Sequence, residues 1–407
     1  MKICFIAGYY YPEVTADVHL NLTLCEGLRG LGHEVHVITP YPSRGLEENL
    51  KKKYRDLKYE VTAGGVIIHR VGYQSNPKQI MLKGIDWLLK MFFLLHKAKS
   101  IDADVFIIMS TPPMLGVLGG CLNQNAKKIY RLQDIFPDNL VITDKIKANC
   151  FLFKILKKLE GYMYQTNDLI LTISNDMKEH IQKDKDINDK VEVVYNWIDC
   201  NKCKPVKWEN NILVKKWKLS EEKFYVVYAG NMGIAQNVET ILKAALKVED
   251  YEDIEFIMIG DGAKKNDVVK FLNHNNCKNV KLYSMQPIEL VSHVYSIGDV
   301  GIVSLKGGVS RVAMPSKTWS IMAAGRAVIC EIDSYSELNN IISSNECGYT
   351  CEPGNYNEMA ERIIQLYRER EQCRIMGENS RKYIEKNLTI EQSINKFNDI
   401  MEKISSC

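Results

Sequence analysis

The chain has 407 residues, enough for two or three ordinary domains, and its 46% apolar and 25% charged composition excludes a disordered or fibrous protein. Lys and Arg number 53 against 50 Asp and Glu, so a formal net charge of +3 gives no reason to expect nucleic acid as a partner. Twelve scattered cysteines, several inside apolar runs, predict free thiols in a reducing, cytoplasmic setting rather than a disulfide framework.

At the N-terminus the apolar run Ile3–Gly8 is short and leads to no small-residue cleavage site, so no secretory signal is expected. β-rich runs then alternate with helical patterns, which predicts parallel sheets and an α/β fold. In the first half strands are expected at Lys2–Ala7, Glu34–Thr39, Val66–Arg70, Val105–Met109, Lys128–Arg131, Leu169–Ile173 and Val191–Val194, with a helix from about Ala16 to Leu31. The charge-free stretch Val105–Leu122 is long enough to span a membrane, but Pro112 and Pro113 would break the spanning helix. It reads as strand, loop, then helix. The polar, Lys-rich segment 196–222 reads as a hinge. Beyond it the same plan repeats, with strands at Phe224–Ala229, Ile254–Ile259, Val280–Tyr283, Val300–Val303, Ala327–Cys330 and Gly348–Cys351. The helices between them are expected at Val238–Val248, Lys265–His274, Ile288–Ser296, Thr318–Ala324 and Ser334–Ser343, and a last one at Ile390–Ile404.

Parallel α/β sheets bind ligands outside the carboxyl ends of their strands, so candidate site residues lie just after strands. Ala229-Gly230-Asn231-Met232-Gly233 follows one strand and precedes a helix, where glycines let backbone amides approach an anion; an ordinary tight turn fits the same residues. Met314–Val328 contains Pro315 and Ser316 at a helix start, flanked by Arg311 and Lys317, with Lys306 in the loop before it. Dipole and side-chain charge together suit a diphosphate; an ordinary capped helix with a solvated lysine is the competing reading. Arg131–Asp138 ends a first-half strand, and Asp134 and Asp138 there could hold hydroxyls or take a proton, or simply cap a turn. Asp102-Ala103-Asp104 precedes its strand, at the sheet end away from the ligand side, and so carries no metal assignment. The pair Cys200 and Cys203 has no second pair and no nearby His, which argues against zinc. The dinucleotide fingerprint, P-loop, nucleophile elbow and paired glycosidase carboxylates are missing.

Residues 51–100 hold eleven Lys or Arg against three acids. Within and beyond this stretch, 80–99 and 145–164 combine lysines with Trp87, Phe92, Phe93, Phe151 and Phe153, the composition of basic amphipathic helices that lie on anionic membrane. Packing on the protein's own sheet is the competing reading.

On its ordered motifs the chain resembles the family 4 retaining glycosyltransferases of the GT-B fold, most closely the bacterial O-antigen, capsule and exopolysaccharide branch that includes N-acetylfucosamine transferases. The motifs run nearly end to end: Tyr11–Glu13, Gly32–Val35, Ser110–Pro113, Gln133–Asp138, Ile173–Asn175, Asn196–Asp199, Gly230–Gly233, Gly260–Gly262 and Pro315–Gly325. The resemblance implies two Rossmann-like domains facing across a cleft, the N-terminal one (1–200) for the acceptor and the C-terminal one (201–385) for a nucleotide sugar. A terminal helix (386–407) would cross back to the first domain. It further implies metal-independent, cofactor-free transfer from a nucleoside-diphosphate sugar, of which UDP-sugar is the expected type, to a lipid-linked or other glycan acceptor. The transferred sugar would be of hexosyl or N-acetylhexosaminyl type.

Under that resemblance Asp134, Arg311 and Lys317 are the expected catalytic residues. Donor binding is expected from Gly230, Asn231, Gly233, Gly260, Asp261, Gly262, Lys306, Pro315, Ser316 and Ser320, and acceptor binding from Tyr11, Thr111, Pro112, Gln133 and Asp138. The chain departs from the family at two places. Ser320-Ile321 stands where a ribose-binding Glu usually precedes Met-Ala-Ala-Gly, and Val312 stands where the partner acid falls. Gln236 and Asn237 replace the Arg and Lys often found after the Gly-x-x-Gly turn. A sugar-nucleotide 2-epimerase of the same fold, or a non-catalytic partner subunit, are the alternatives.

Overall fold

The computed structural model describes residues 1–13, 17–75, 77, 79–183 and 187–406. Contacts divide the chain into two compact units, one of Met1–Val141, Ile146–Asn196 and Ile390–Cys407, the other of Ile142–Lys145 and Trp197–Thr389.

The first unit is built on eight strands: β1 (Lys2–Ile6), β2 (Glu34–Pro40), β3 (Tyr59–Val61), β4 (Ile67–Val71), β5 (Val105–Met109), β6 (Lys127–Arg131), β7 (Leu169–Thr172) and β8 (Val191–Val193). Their order is β3-β4-β2-β1-β5-β6-β7-β8. Every pairing is parallel except β3 with β4. The central strand β5 is apolar and buried at every position, as a strand covered on both faces must be. Strand β3 escapes the sequence reading because it is three residues of antiparallel edge with two of them exposed, a pattern with no buried face to mark it.

The chain leaves β1 toward β2 and later returns to place β5 on the other side of β1. Right-handed crossovers therefore put the helix Val18–Gly30 on one face of the sheet and the helix Ile80–Ala98 on the other. Residue Ala16, the expected first residue of the former, lies outside the described residues. The stretch after β5 winds as a 3-10 helix, Pro113–Cys121, because its prolines and glycines are poor α-helix formers. The helix Phe151–Thr166 packs against it, and so does Ile80–Ala98, so these three elements form one layer. On the opposite face the last helix, Ile390–Ser405, packs against Val18–Gly30, burying Ile394, Phe397 and Met401. His33 Nε2 and Asn398 Oδ1 are 2.6 Å apart across that contact.

The second unit is a parallel sheet of β9 (Phe224–Asn231), β10 (Ile254–Asp261), β11 (Val280–Tyr283), β12 (Val300–Ser304), β13 (Ala327–Glu331) and β14 (Gly348–Cys351), in the order β11-β10-β9-β12-β13-β14. Its core packs β-strand residues such as Val226, Phe256 and Ile302 against Ile241, Ala245, Ile363 and Leu366 from flanking helices. Two of these helices, Tyr356–Arg368 and Arg370–Asn387, are additional to those expected from the sequence. The segment read as an irregular hinge is largely ordered within this unit. Buried Asn211 caps a short helix, Ile212–Trp217, by accepting from the amides of Leu213 and Val214 at 3.0 and 3.4 Å.

Candidate functional site

In the second unit the chain runs outward from β9 to β11, then returns to place β12 on the other side of β9. This reversal is a topological switch point, and the crevice outside the carboxyl ends of β9 and β12 is where such a sheet accepts a ligand. The segments at that edge are Gly230–Gly233, which ends β9 and runs past it, Gly260–Gly262, which does the same at β10, and 305–316 after β12. Strands β9 and β10 thus run two residues beyond the ends expected from the sequence.

Backbone proximity dictates the glycines here. Gly230 pairs with Gly260 in the β9–β10 ladder, and a Cβ on Gly260 would lie 2.0 Å from the Gly230 carbonyl oxygen. Gly262 has φ +144°, and its Cβ would meet Asn231 Oδ1 at 2.4 Å. The Met232 amide donates to the Asp261 carbonyl at 2.7 Å, and the Lys264 amide to the Met232 carbonyl at 2.8 Å, lacing the two turns together. Asp261 itself is exposed, with Lys265 at 3.7 Å.

Lys317 opens the helix Lys317–Ala323 and lays its side chain under this edge. Its ammonium is 4.1 Å from the centre of the Tyr228 ring and would be 3.5 Å from a Cβ on Gly230. The nitrogen is sealed from solvent and has no hydrogen-bond partner among the described residues. A cation left with only a ring face for company is poorly compensated. Burial accordingly lowers its pKa to about 7. Tyr228 is held in place by donating its hydroxyl to the Asn231 carbonyl at 2.6 Å.

Arg311, at the end of the 3-10 turn Val309–Arg311, is exposed and stacks on Tyr335 at 4.5 Å. Lys306 is 3.5 Å from Asp144, a residue of the short segment grouped with this unit. Ser316 precedes the Lys317 helix but makes no side-chain cap, and the Thr318 amide turns back to the Pro315 carbonyl at 3.1 Å. The Ser320 carbonyl accepts from Cys203 Sγ at 3.3 Å, which gives that cysteine a packing role.

The sequence reading missed the acids behind this edge. Glu331, the last residue of β13, is fully buried and accepts from Ser304, from Asn237 at 2.7 Å and from Thr240 at 3.0 Å. Burial raises its pKa against those hydrogen bonds. Asp333 accepts from the Gly308 amide at 3.0 Å and from the Ser310 hydroxyl at 2.7 Å, and so shapes the loop that carries Arg311. The rule that sites follow strands, applied to β13, would have reached both.

The first unit has its own switch point between β1 and β5. There Gly8, after β1, lies against Thr111 and Pro112, after β5, a Cβ on it falling 2.3 Å from the Thr111 carbonyl oxygen; Tyr11 follows on the same loop, and Gln133 and Asp134 follow β6. The Gln133 amide donates to Ser110 Oγ at 2.8 Å. Tyr11 is exposed and packs edge-on against Tyr54. Buried Arg131 donates to Asn21 at 3.1 Å and to Asn196 at 3.0 Å, and burial brings its pKa down to about 10. Asn196 opens the Asn196–Asp199 motif, whereas Asn21, within the helix Val18–Gly30, has no sequence signature that would have revealed this.

The two acids of the Gln133–Asp138 motif differ sharply. Asp134 is open to solvent on one side, yet the protein packed around it, with a contribution from Asp17, raises its carboxyl to about 6. Asp138 starts the helix Asp138–Ile142 and faces Lys157 at 2.9 Å and His180 at 3.8 Å. Burial works to raise its pKa, but hydrogen bonds from His180 and Lys157 prevail and hold it down at about 2. No group of three or more His, Cys, Asp or Glu able to hold a metal occurs among the described residues.

Comparison with known proteins places two glycosyltransferase domains along the chain. Residues 19–202 match the Glycosyltransferase Family 4 model, and residues 209–383 match Glycosyl transferases group 1. A probable glycosyltransferase of Pseudomonas aeruginosa, WbjE, is 26% identical over 301 residues, 72% of this chain and 74% of its own. WcaI of Escherichia coli K12, provisionally a colanic acid biosynthesis glycosyl transferase, is 24% identical over 84% of this chain and 86% of its own. Among solved structures, HepE of Anabaena in complex with UDP and glucose superposes with a TM-score of 0.71 at 13% identity, covering 99% of both chains.

Proposed function

We propose, from the premise that this chain belongs to the family 4 glycosyltransferases of the GT-B fold, that it is a metal-independent retaining enzyme. Its donor is a UDP-sugar, and its acceptor a lipid-linked glycan or another cell-surface polysaccharide precursor. The observation that carries the reading is Lys317, a sealed cation without a hydrogen-bonding partner at the switch-point edge of the second unit. A diphosphate laid along Gly230–Gly233 supplies the missing anion. The UDP in HepE and the polysaccharide pathway of WcaI are consistent with this donor and acceptor class.

In the proposed step the bond from the donor's anomeric carbon to the diphosphate oxygen breaks, and that oxygen keeps the electron pair. The acceptor hydroxyl oxygen bonds to the same carbon on the same face, and its proton passes to the departing diphosphate. The protein supplies electrostatics rather than a nucleophile: Lys317 and Arg311 offset the charge growing on the leaving group. Asn231, Gly233, Gly260, Asp261, Gly262, Lys306, Pro315 and Ser316 complete the donor site. Ser320 takes a ribose hydroxyl where relatives use a Glu. On the acceptor side Asp134 orients the hydroxyl, with Tyr11, Thr111, Pro112, Gln133 and Asp138 around it.

The test is a thermal-shift panel of UDP, GDP, dTDP and their sugars in excess chelator. UDP or a UDP-sugar at about a hundred times its Kd should stabilise the protein by ~2.7 kcal/mol. Absence of a shift with every nucleoside diphosphate at millimolar concentration would remove the donor assignment.

A further inference from the structure

The helix Ile80–Ala98 is apolar on its outside as well as toward the sheet. A surface helix of a globular protein turns its apolar stripe to the core and its charges to water. Here Leu82, Ile85, Leu88, Leu89, Phe92 and Phe93 are exposed, Phe92 to 66%. Their spacing of three and four residues puts them on one stripe. The inward face buries Met91, Leu94 and Ala98 and, with them, two charges. Asp86 and Lys90 are buried and paired at 2.9 Å, Ser75 donates its hydroxyl to Asp86, and Lys90 lies over the rings of Tyr73 and Trp87.

Phe151–Thr166, in the same layer, repeats the feature. Phe151 is 79% exposed, and Leu152, Ile155 and Tyr162 are exposed with it. Its one acid, Glu160, is buried and 2.7 Å from Lys157. Both helices thus neutralise their own acids internally, while Lys83, Lys99, Lys147, Lys154 and Lys158 stand exposed on them and beside them. Outward, neither helix offers water an exposed acid: among the apolar side chains, and uncharged polar ones such as Gln165, the exposed charges on the two helices are lysines.

This combination decides the occupant. Apolar area of this extent calls for a covering partner, and the single sign of the charge calls for an anionic one. A second copy meeting this face symmetrically would set lysines against lysines. No described helix is long and apolar enough to cross a membrane. We propose that the outward faces of helices Ile80–Ala98 and Phe151–Thr166 form a docking surface for an anionic lipid bilayer, on which the protein lies without crossing it. The inference goes beyond the donor assignment and stands on these two helices alone.

The test is flotation of the full chain with phosphatidylcholine vesicles, with and without a third phosphatidylglycerol. The wild type should float with the anionic vesicles and be released by high salt. Lys154→Gln/Lys158→Gln should weaken binding by about twenty-five-fold, fivefold per lysine. Leu88→Ser/Phe92→Ser, at exposed positions, should weaken it by about tenfold or more. Unchanged circular dichroism and an unchanged nucleotide-induced Tm shift would show both variants folded. Three results overturn the proposal: wild type left unbound by anionic vesicles, Leu88→Ser/Phe92→Ser binding like wild type, or a wild-type dimer that the same substitution dissolves. Because vesicles and nucleotide are read separately, failure here leaves the donor assignment standing, and the reverse.

Discussion

The ammonium of Lys317 rests 4.1 Å from the centre of the Tyr228 ring, and that ring face is the main compensation this buried cation has. The arrangement is costly to an empty protein and favourable to one that holds an anion. Replacing the cation by an isosteric apolar group separates the two effects. Lys317→Met should raise the Tm of the nucleotide-free protein by about a few degrees. It should also abolish most of the UDP-induced shift and slow transfer by about tenfold or more. Melting curves with and without UDP, and initial rates, check all three.

The pH dependence of donor binding follows from the same group. In the free protein burial holds Lys317 at about 7, well under the ordinary lysine value. A bound diphosphate favours the charged form and raises that pKa, so above pH 7 binding takes up a proton. UDP affinity should therefore fall as pH rises from about 7 toward 9, by up to about tenfold per unit. Calorimetry in two buffers of different ionisation enthalpy reads the proton directly. The stability contribution has the matching sign: the folded pKa is depressed, so the free protein gains stability as pH rises from about 7 to the ordinary lysine range.

Arg311 differs from Lys317 in being exposed and braced by Tyr335. Its removal should leave the melting temperature of the free protein unchanged. Arg311→Ala should lower kcat by about tenfold if the guanidinium meets the leaving group. Tyr335→Ala should reproduce a smaller part of that loss by freeing the side chain. An unchanged kcat in Arg311→Ala removes the residue from the transfer step.

Asp134 should shape the acid limb of the rate profile. Its carboxyl titrates at about 6, raised by the protein packed around it and by Asp17, so the ionised form that orients a hydroxyl is lost below that pH. The kcat/KM of the wild type should fall on the acid side of about pH 6. Asp134→Asn should lower the rate about a hundredfold and flatten that limb. A limb that persists in the variant belongs to another group.

Asp138 is predicted to stabilise the fold. Its pKa is held at about 2, below the ordinary carboxylate value, by His180 and Lys157 against the opposing effect of burial. Such a group stabilises the native state above the unfolded pKa and loses that contribution as pH falls toward 2. Asp138→Asn should cost about 1–2 kcal/mol at pH 7, a range discounted for partial exposure and for the Glu160 carboxylate that Lys157 keeps. Denaturant titrations should show the difference shrinking between about pH 4 and pH 2.

Much of this molecule is legible in its sequence, because the features concerned are local. Thirteen of the fourteen strands among the described residues are legible as β-rich runs, and Val105–Met109 is so in five consecutive buried residues. Gly230, Gly260 and Gly262 are conspicuous at their strand ends, where Gly260 admits the close Gly230 carbonyl and Gly230 and Gly262 take φ values of +135° and +144°. What escaped was either too short to carry a pattern, as β3 is, or depended on residues distant in the chain. Glu331 becomes a node only when Asn237, Ser304 and Thr240 converge on it.

The sequence by itself determined an α/β protein of two parallel-sheet halves and the strand ends at which ligands would gather, since hydrophobic period and glycine position act over a few residues. Only the tertiary structure decided which charges were buried and which apolar groups were not. In Ile80–Ala98 apolar residues and lysines occur on several sides, so its own pattern is consistent with either orientation. Packing against the sheet turned Asp86 and Lys90 inward and left Phe92 outside. Lys317 reads as a solvated lysine until β9 comes alongside and takes its ammonium out of water. Burial is a property of the assembled layers, and charge changes its meaning with it.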